Sequence, residues 1–117
     1  MIFNSGKAGE AASVKFLKKN GYKILETNYR KTYGEIDIIA QCGENIAFIE
    51  VKTRKSDLFG TPAEFVTQQK QKKLIKTAYT YIQEKKLDAS FTFDVVEVYT
   101  EGKKIKTINH IKNAFYV

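Results

Sequence analysis

The sequence predicts a single α/β domain, bordering on α+β, in which a central mixed β-sheet is flanked by helices. Three observations carry this reading. The apolar periodicities run in the order helix, three strands, helix, two strands. The 117 residues are the size of one ordinary domain. No internal repeat, low-complexity stretch or linker divides residues 1–117. A chain of this length buries roughly two-thirds of its unfolded surface. A hydrophobic fraction of 43%, with seven tyrosines and eight phenylalanines, argues against disorder.

Each element has its own signal. Lys7 to Asn20 reads as a helix, because Ala8, Ala11, Ala12, Phe16 and Leu17 recur near a 3.6 period, and Gly21 stands where a left-handed cap belongs. Tyr22 to Tyr29 reads as the first strand. The β-branched runs Glu35–Ala40 and Ile46–Val51 read as two arms of a hairpin around the polar turn Gln41-Cys42-Gly43-Glu44-Asn45. Lys55 to Gly60 is a polar loop, and Thr61-Pro62-Ala63-Glu64 has the form of a capping box with proline at the first helical position. A longer helix is predicted from about Thr67 to about Lys86, with Leu74, Ile75, Ala78 and Ile82 as its core stripe and Tyr81 at the edge. Phe91 to Tyr99 is a fourth strand and Glu101-Gly102-Lys103 a turn. Ile105 to Ile111 is a fifth strand, placed at the sheet edge by Lys104, Lys106 and Lys112.

Composition narrows the function. No apolar run approaches the ~20 residues of a membrane helix, and the first residues lack the apolar stretch of a signal peptide. With Cys42 the single cysteine, no intramolecular disulfide forms, and a cytoplasmic location without membrane attachment is the expectation. Twenty Lys and Arg against thirteen Asp and Glu leave a formal charge of +7. Such a balance points to a polyanionic partner, nucleic acid first, although a lysine-rich solvated surface gives the same number. His110 is the only histidine, which together with the single cysteine excludes a zinc site or a Cys–His nucleophile. The absence of a phosphate-cradling glycine loop argues against an NTPase.

The hairpin holds the chemistry. If its turn centres on Gly43 and Glu44, the antiparallel register sets Asp37 opposite Glu50. Strict alternation then puts Asp37, Glu50 and Lys52 on one face and Ile36, Ile38, Ala47, Ile49 and Val51 on the other. Opposed carboxylates destabilise a ladder, and a divalent cation between them reverses that sign. Mg²⁺ or Mn²⁺ takes oxygen ligands, commonly one or two carboxylates plus substrate phosphate. Asp37 and Glu50 could supply these, with the Val51 carbonyl as a third oxygen. Lys52 could lower the pKa of an attacking water or stabilise charge developing on phosphorus. The competing reading is a surface hairpin whose Glu50 and Lys52 merely alternate with core residues. Against it, Ile39 and Phe48 sit on the charged face.

These residues carry a resemblance. Gly34-Glu35-Ile36-Asp37 followed by Phe48-Ile49-Glu50-Val51-Lys52-Thr53-Arg54 resembles the PD-(D/E)xK nuclease signature. Nearly the whole chain is similar to the YraN-type family of small bacterial proteins, related to archaeal Holliday-junction resolvases. The similarity includes Gly9-Glu10, Asn28-Tyr29-Arg30, Phe59-Gly60-Thr61-Pro62, Lys70, Phe93-Asp94-Val95-Val96 and Asn113-Ala114-Phe115. It implies a restriction-endonuclease-like sheet of four to five strands and Mg²⁺-dependent hydrolysis of phosphodiester bonds in DNA, branched DNA among them. Asp37 and Glu50 would be metal ligands, Lys52 the catalytic lysine, and Glu10 an acid reaching the metal or its water. The same resemblance positions Lys70 to approach substrate.

Arg30, Lys31, Arg54 and Lys55 fall at strand ends near this site, where they could grip phosphates. Asp94, inside an apolar strand, calls for a structural partner rather than a further metal. Two functions follow: a metal-dependent endonuclease, or a non-catalytic nucleic-acid-binding module that keeps the nuclease fold. A homodimer is left open by either.

Overall fold

Helix α1 (Ser5–Lys19) opens the computed structural model, which describes residues 5–59 and 66–116. It ends as predicted: Gly21 adopts φ +90, Tyr22 N–H donates to the Leu17 carbonyl at 2.9 Å and Gly21 N–H to Lys18 at 3.2 Å. Those bonds satisfy the last helical carbonyls. Strands β1 (Lys23–Lys31), β2 (Gly34–Cys42) and β3 (Asn45–Lys55) follow, then a single 3₁₀ turn, Ser56–Leu58, inside the predicted polar loop. The proposed capping box at Thr61–Glu64 lies outside the described residues. Helix α2 (Gln68–Lys85) begins where Thr67 accepts a hydrogen bond from Lys70 N–H at 3.2 Å, the N-cap geometry. Strands β4 (Ser90–Glu101) and β5 (Lys104–Phe115) complete the chain, both longer than their sequence signals.

The five strands lie in the order β1-β2-β3-β4-β5. β3 and β4 run parallel, joined by the crossover through α2, while the other neighbours are antiparallel. The sheet is therefore mixed, with β5 at one edge as expected. Each face has its own core. Leu17, Ile38, Ala40, Ala47, Ile49, Val96 and Val98 pack with α1. Ile36, Ile39, Ile46, Phe48, Phe93 and Val95 pack with Leu74, Ala78 and Tyr81 of α2. Central strands buried on both faces explain the nearly continuous apolar runs. The result is an α/β domain of the restriction-endonuclease-like kind.

Two expectations need correction. Tyr81 is only 4% exposed and lies at the centre of the α2 stripe, with Ile75 and Ile82 at its margin. Its ring meets Tyr29 and Phe48 edge-on, at centroid distances of 5.1 and 6.2 Å, so a large aromatic fills space that the aliphatic residues cannot reach. Ile36 packs beneath α2, not with Ile38 beneath α1. Strict alternation therefore fails between them, beside Asp37.

Candidate metal centre

The hairpin turn forms at Gly43, with φ +59, and sets the register from Cys42↔Asn45 to Ile38↔Ile49. The next rung would oppose Asp37 to Glu50, as the sequence predicts, but the ladder stops one pair short. Instead, the Asp37 carboxylate accepts the Val51 N–H at 2.8 Å. On the other side of β2, Thr27↔Ile38 and Tyr29↔Ile36 are paired, and Asn28 between them adopts φ +52. Thr27 and Ile38 line a hollow under α1, whereas Tyr29 and Ile36 enter the α2 core. Both strands thus change face across Asn28 and Asp37.

That twist separates the two acids. Asp37 opens into a hollow of about 520 Å³ on the α1 side, lined by Lys7, Glu10, Asn28, Arg30, Glu35, Val51 and Thr53. Glu50 continues the Phe48 side of β3, towards α2, and pairs with the Lys70 ammonium. Asp37 and Glu50 therefore do not share a face: they flank Val51 from two sides. Gly9 lets α1 lie close enough to bring Glu10 into the group. A Cβ at Gly9 would stand 2.5 Å from the Thr53 hydroxyl.

Electrostatically the acids are under-compensated. Burial, and then the charges of Glu10, Glu50 and Glu35, push the Asp37 carboxyl up to about 6, against the opposing pull of the Val51 N–H. Glu50 is 8% exposed, and its Oε2 has no hydrogen-bond partner. An orphaned, buried carboxylate oxygen is costly, and it is the observation by which a cation fits here. Among the described residues no three acidic, histidine or cysteine groups already converge on one point. Mg²⁺ needs fewer, since it keeps several waters and takes one or two carboxylates. Residues Asp37, Glu50 and Glu10 suit it by donor type. An extended residue directs its N–H and C=O to the same edge, so the Val51 carbonyl faces the Asp37 side.

The cations divide into engaged and exposed. Lys52 is half-buried on the Glu50 side, across the parallel ladder from Glu97, with no ion pair to another described residue. Arg54, expected at the phosphate surface, is turned inward. Its guanidinium lies 3.1 Å from Glu97 Oε2 and 3.1 Å from the Tyr99 hydroxyl, with side-chain exposures of 10% for Arg54 and 3% for Glu97. Tyr99 and Asn109 also donate to Glu97, at 3.0 and 3.2 Å. Arg30 is exposed and pairs with Glu35 at 3.2 Å, Lys31 pairs with Glu84 at 2.8 Å, and Lys55 is exposed at the end of β3. Lys70 is half exposed and held by Glu50. Asp94 has the structural partners its setting required: His110 Nε2 at 2.8 Å and the Asn113 N–H at 3.1 Å.

Glu97 escaped the sequence reading, and Asn28 entered it only within a motif of the resemblance, with no role of its own. Glu97 carried a signal of the same kind as Asp94, an acid between valines in a strand buried on both faces. Asn28 carried a weaker one, a residue disfavoured in strands but tolerant of left-handed backbone.

Comparison with known proteins places this sequence in a family. A protein from Caldicellulosiruptor saccharolyticus is 49% identical over 112 residues, covering 94% of this chain and 95% of the relative. Its counterpart in Alkaliphilus metalliredigens is 50% identical over 111 residues, covering 94% and 96%. One from Flavobacterium psychrophilum is 47% identical over 111 residues, covering 95% and 92%. All three are described only as UPF0102 proteins. The family profile "Uncharacterised protein family UPF0102" matches residues 9–98, from Gly9 in α1 to Val98 in β4, and the chain belongs to that family, the YraN-type group.

Proposed function

We propose that this protein is a metal-dependent endonuclease that hydrolyses phosphodiester bonds in DNA, with branched or structured DNA among the substrates to test. The observation that supports this most is the pair of carboxylates flanking Val51, one pushed up by burial and then by its acidic neighbours, the other with an orphaned oxygen. Such a pair is unfavourable without a cation and useful with one. Asp37, Glu50, the Val51 carbonyl and Glu10 would hold Mg²⁺ or Mn²⁺, which when bound activates water and neutralises charge on the phosphate.

The chain's own residues do the rest. The Val51 N–H fixes the orientation of the Asp37 carboxylate. Lys52 lies two residues beyond Glu50 on the same side of β3, where its ammonium stabilises negative charge gathering on phosphorus. Lys70, half exposed, can exchange Glu50 for a phosphate oxygen as DNA arrives. Arg30 and Lys55 remain accessible for phosphate contact, and the formal charge of +7 draws the polyanion in. Arg54 is left to Glu97 and Tyr99.

The test is single-turnover cleavage of duplex, forked and four-way DNA with Mg²⁺ or Mn²⁺. Wild type is expected to cut. Lys52→Ala should keep metal and DNA binding yet lose about a hundred- to a thousandfold in rate. Asp37→Asn should lose metal binding and cleavage together. Wild type that binds every DNA but cuts none makes the chain a non-catalytic binding module. Equal cutting by Lys52→Ala removes the lysine from the mechanism.

A further inference from the structure

Asn28 is a non-glycine residue with φ +52 inside a strand. Asparagine tolerates this conformation better than most residues, but glycine adopts it with no steric cost. The backbone alone therefore does not require an amide here. What the amide does follows from its surroundings. With its NH₂ turned towards the acids, Asn28 donates to Glu10 Oε1 at 3.0 Å and to Glu35 Oε1 at 3.3 Å. Glu10 comes from α1 and Glu35 from β2, and both raise the proton affinity of Asp37 by their charge. Arg30 adds a second donor to Glu35, at 3.2 Å.

Building on the metal-dependent reading above, we infer that Asn28 is a positioning residue, whose side-chain amide holds the Glu10 carboxylate beside Asp37. Glu10 is partly exposed on a helix and repelled by two neighbouring acids. Without a donor on the sheet, its side chain relaxes towards water. The amide is neutral, so it orients the carboxylate without neutralising it, and the acid remains available as a cation ligand. A lysine in the same place would compete with the cation. Groups that orient ligands in this way typically change metal affinity by about 10- to 100-fold when removed.

Two measurements on the intact chain decide the matter. The first is calorimetric titration of Mn²⁺ into wild type, Asn28→Gly and Asp37→Asn. Glycine keeps the left-handed backbone and removes only the amide, so Asn28→Gly should fold and bind Mn²⁺ about tenfold more weakly. A merely structural role for Asn28 would leave that affinity unchanged, and wild-type-like binding by Asn28→Gly overturns the inference. The second is a cycle of Asn28→Gly and Glu10→Ala, unfolded by urea without metal. A grip between the two side chains makes the double variant lose less than the summed single losses. Additive losses overturn the grip. Wild type that binds no Mn²⁺ overturns the metal reading itself, and the metal role of Asn28 with it. The cycle then still reports separately on the contact with Glu10.

Discussion

Asp37→Asn is expected to make the metal-free protein more stable at neutral pH, although it alters a half-buried polar residue. The carboxyl is pushed from its ordinary 3.8 up to about 6 by burial and by Glu10, Glu50 and Glu35. That is about a hundredfold in proton affinity, worth at most about 3 kcal/mol. Water at the open side of the hollow screens part of it, which leaves about 1–2 kcal/mol. Asparagine removes the charge but keeps an oxygen to accept the Val51 N–H, now at 2.8 Å. The sign with pH follows from the direction. A carboxyl raised on folding binds its proton more tightly in the native state, so its contribution is fully present below about pH 4 and is lost as pH rises to about 6. The advantage of Asp37→Asn should therefore be about 4–8 °C in Tm at pH 7.5 and should vanish near pH 4. Millimolar Mg²⁺ should raise the Tm of wild type and leave that of the variant unchanged. The assay is thermal unfolding at the two pH values, with chelator or Mg²⁺. A lower Tm for the variant at pH 7.5, or the same difference at both pH values, refutes the reasoning.

Arg54→Ala should cost about 3–5 kcal/mol in urea unfolding, because among the described residues it leaves the buried Glu97 carboxylate hydrogen-bonded by Tyr99 and Asn109 alone. Adding Glu97→Gln should recover much of that loss, and a near-neutral Arg54→Ala would mean the pair is not buried as described. Gly9→Ala drives a Cβ to 2.5 Å from the Thr53 hydroxyl, and should cost about 1–3 kcal/mol by pushing α1 off β3. Thr53→Ala in the same chain should restore at least half of it, as read by the shift in denaturation midpoint.

Much of the fold could be read in advance because its signals are local. Gly21 and Thr67 mark helix ends through their own hydrogen bonds, and Gly43 fixes the hairpin register with its positive φ. The register that aligns Asp37 with Glu50 follows from that turn alone, although the ladder ends one pair before them. What the sequence hid depends on longer reach. Alternation assumes an unbroken pleat, and the left-handed backbone at Asn28 breaks it, so Asp37 turns to α1 while Glu50 turns to α2. Nothing in a run of β-branched residues announces such a change of face. Arg54 falls at a strand end near the carboxylates, which suggests a phosphate contact. Its inward turn is dictated by Glu97 and Tyr99, forty-odd positions later and adjacent only through the parallel pairing of β3 with β4.

The end of the β2–β3 ladder and the placement of Asp37 are one structural event. Once the strands stop pairing beyond Ile38↔Ile49, the Val51 N–H on β3 loses its partner across the hairpin. A half-buried N–H must bond to something. An aspartate at position 37 reaches it with a short side chain and satisfies it at 2.8 Å. A carboxylate is a stronger acceptor than a neutral oxygen, so the donor that ends the ladder also holds the charge in place. The acid is thereby fixed at the point where the backbone opens into the hollow beside α1. Asp37→Ala should consequently behave unlike Asp37→Asn. Both lose the charge, but alanine also strands the Val51 N–H, an unsatisfied donor worth about 1–3 kcal/mol. A stable Asp37→Asn beside a weakened Asp37→Ala is the pattern expected if one side chain both ends the ladder and carries the site's charge.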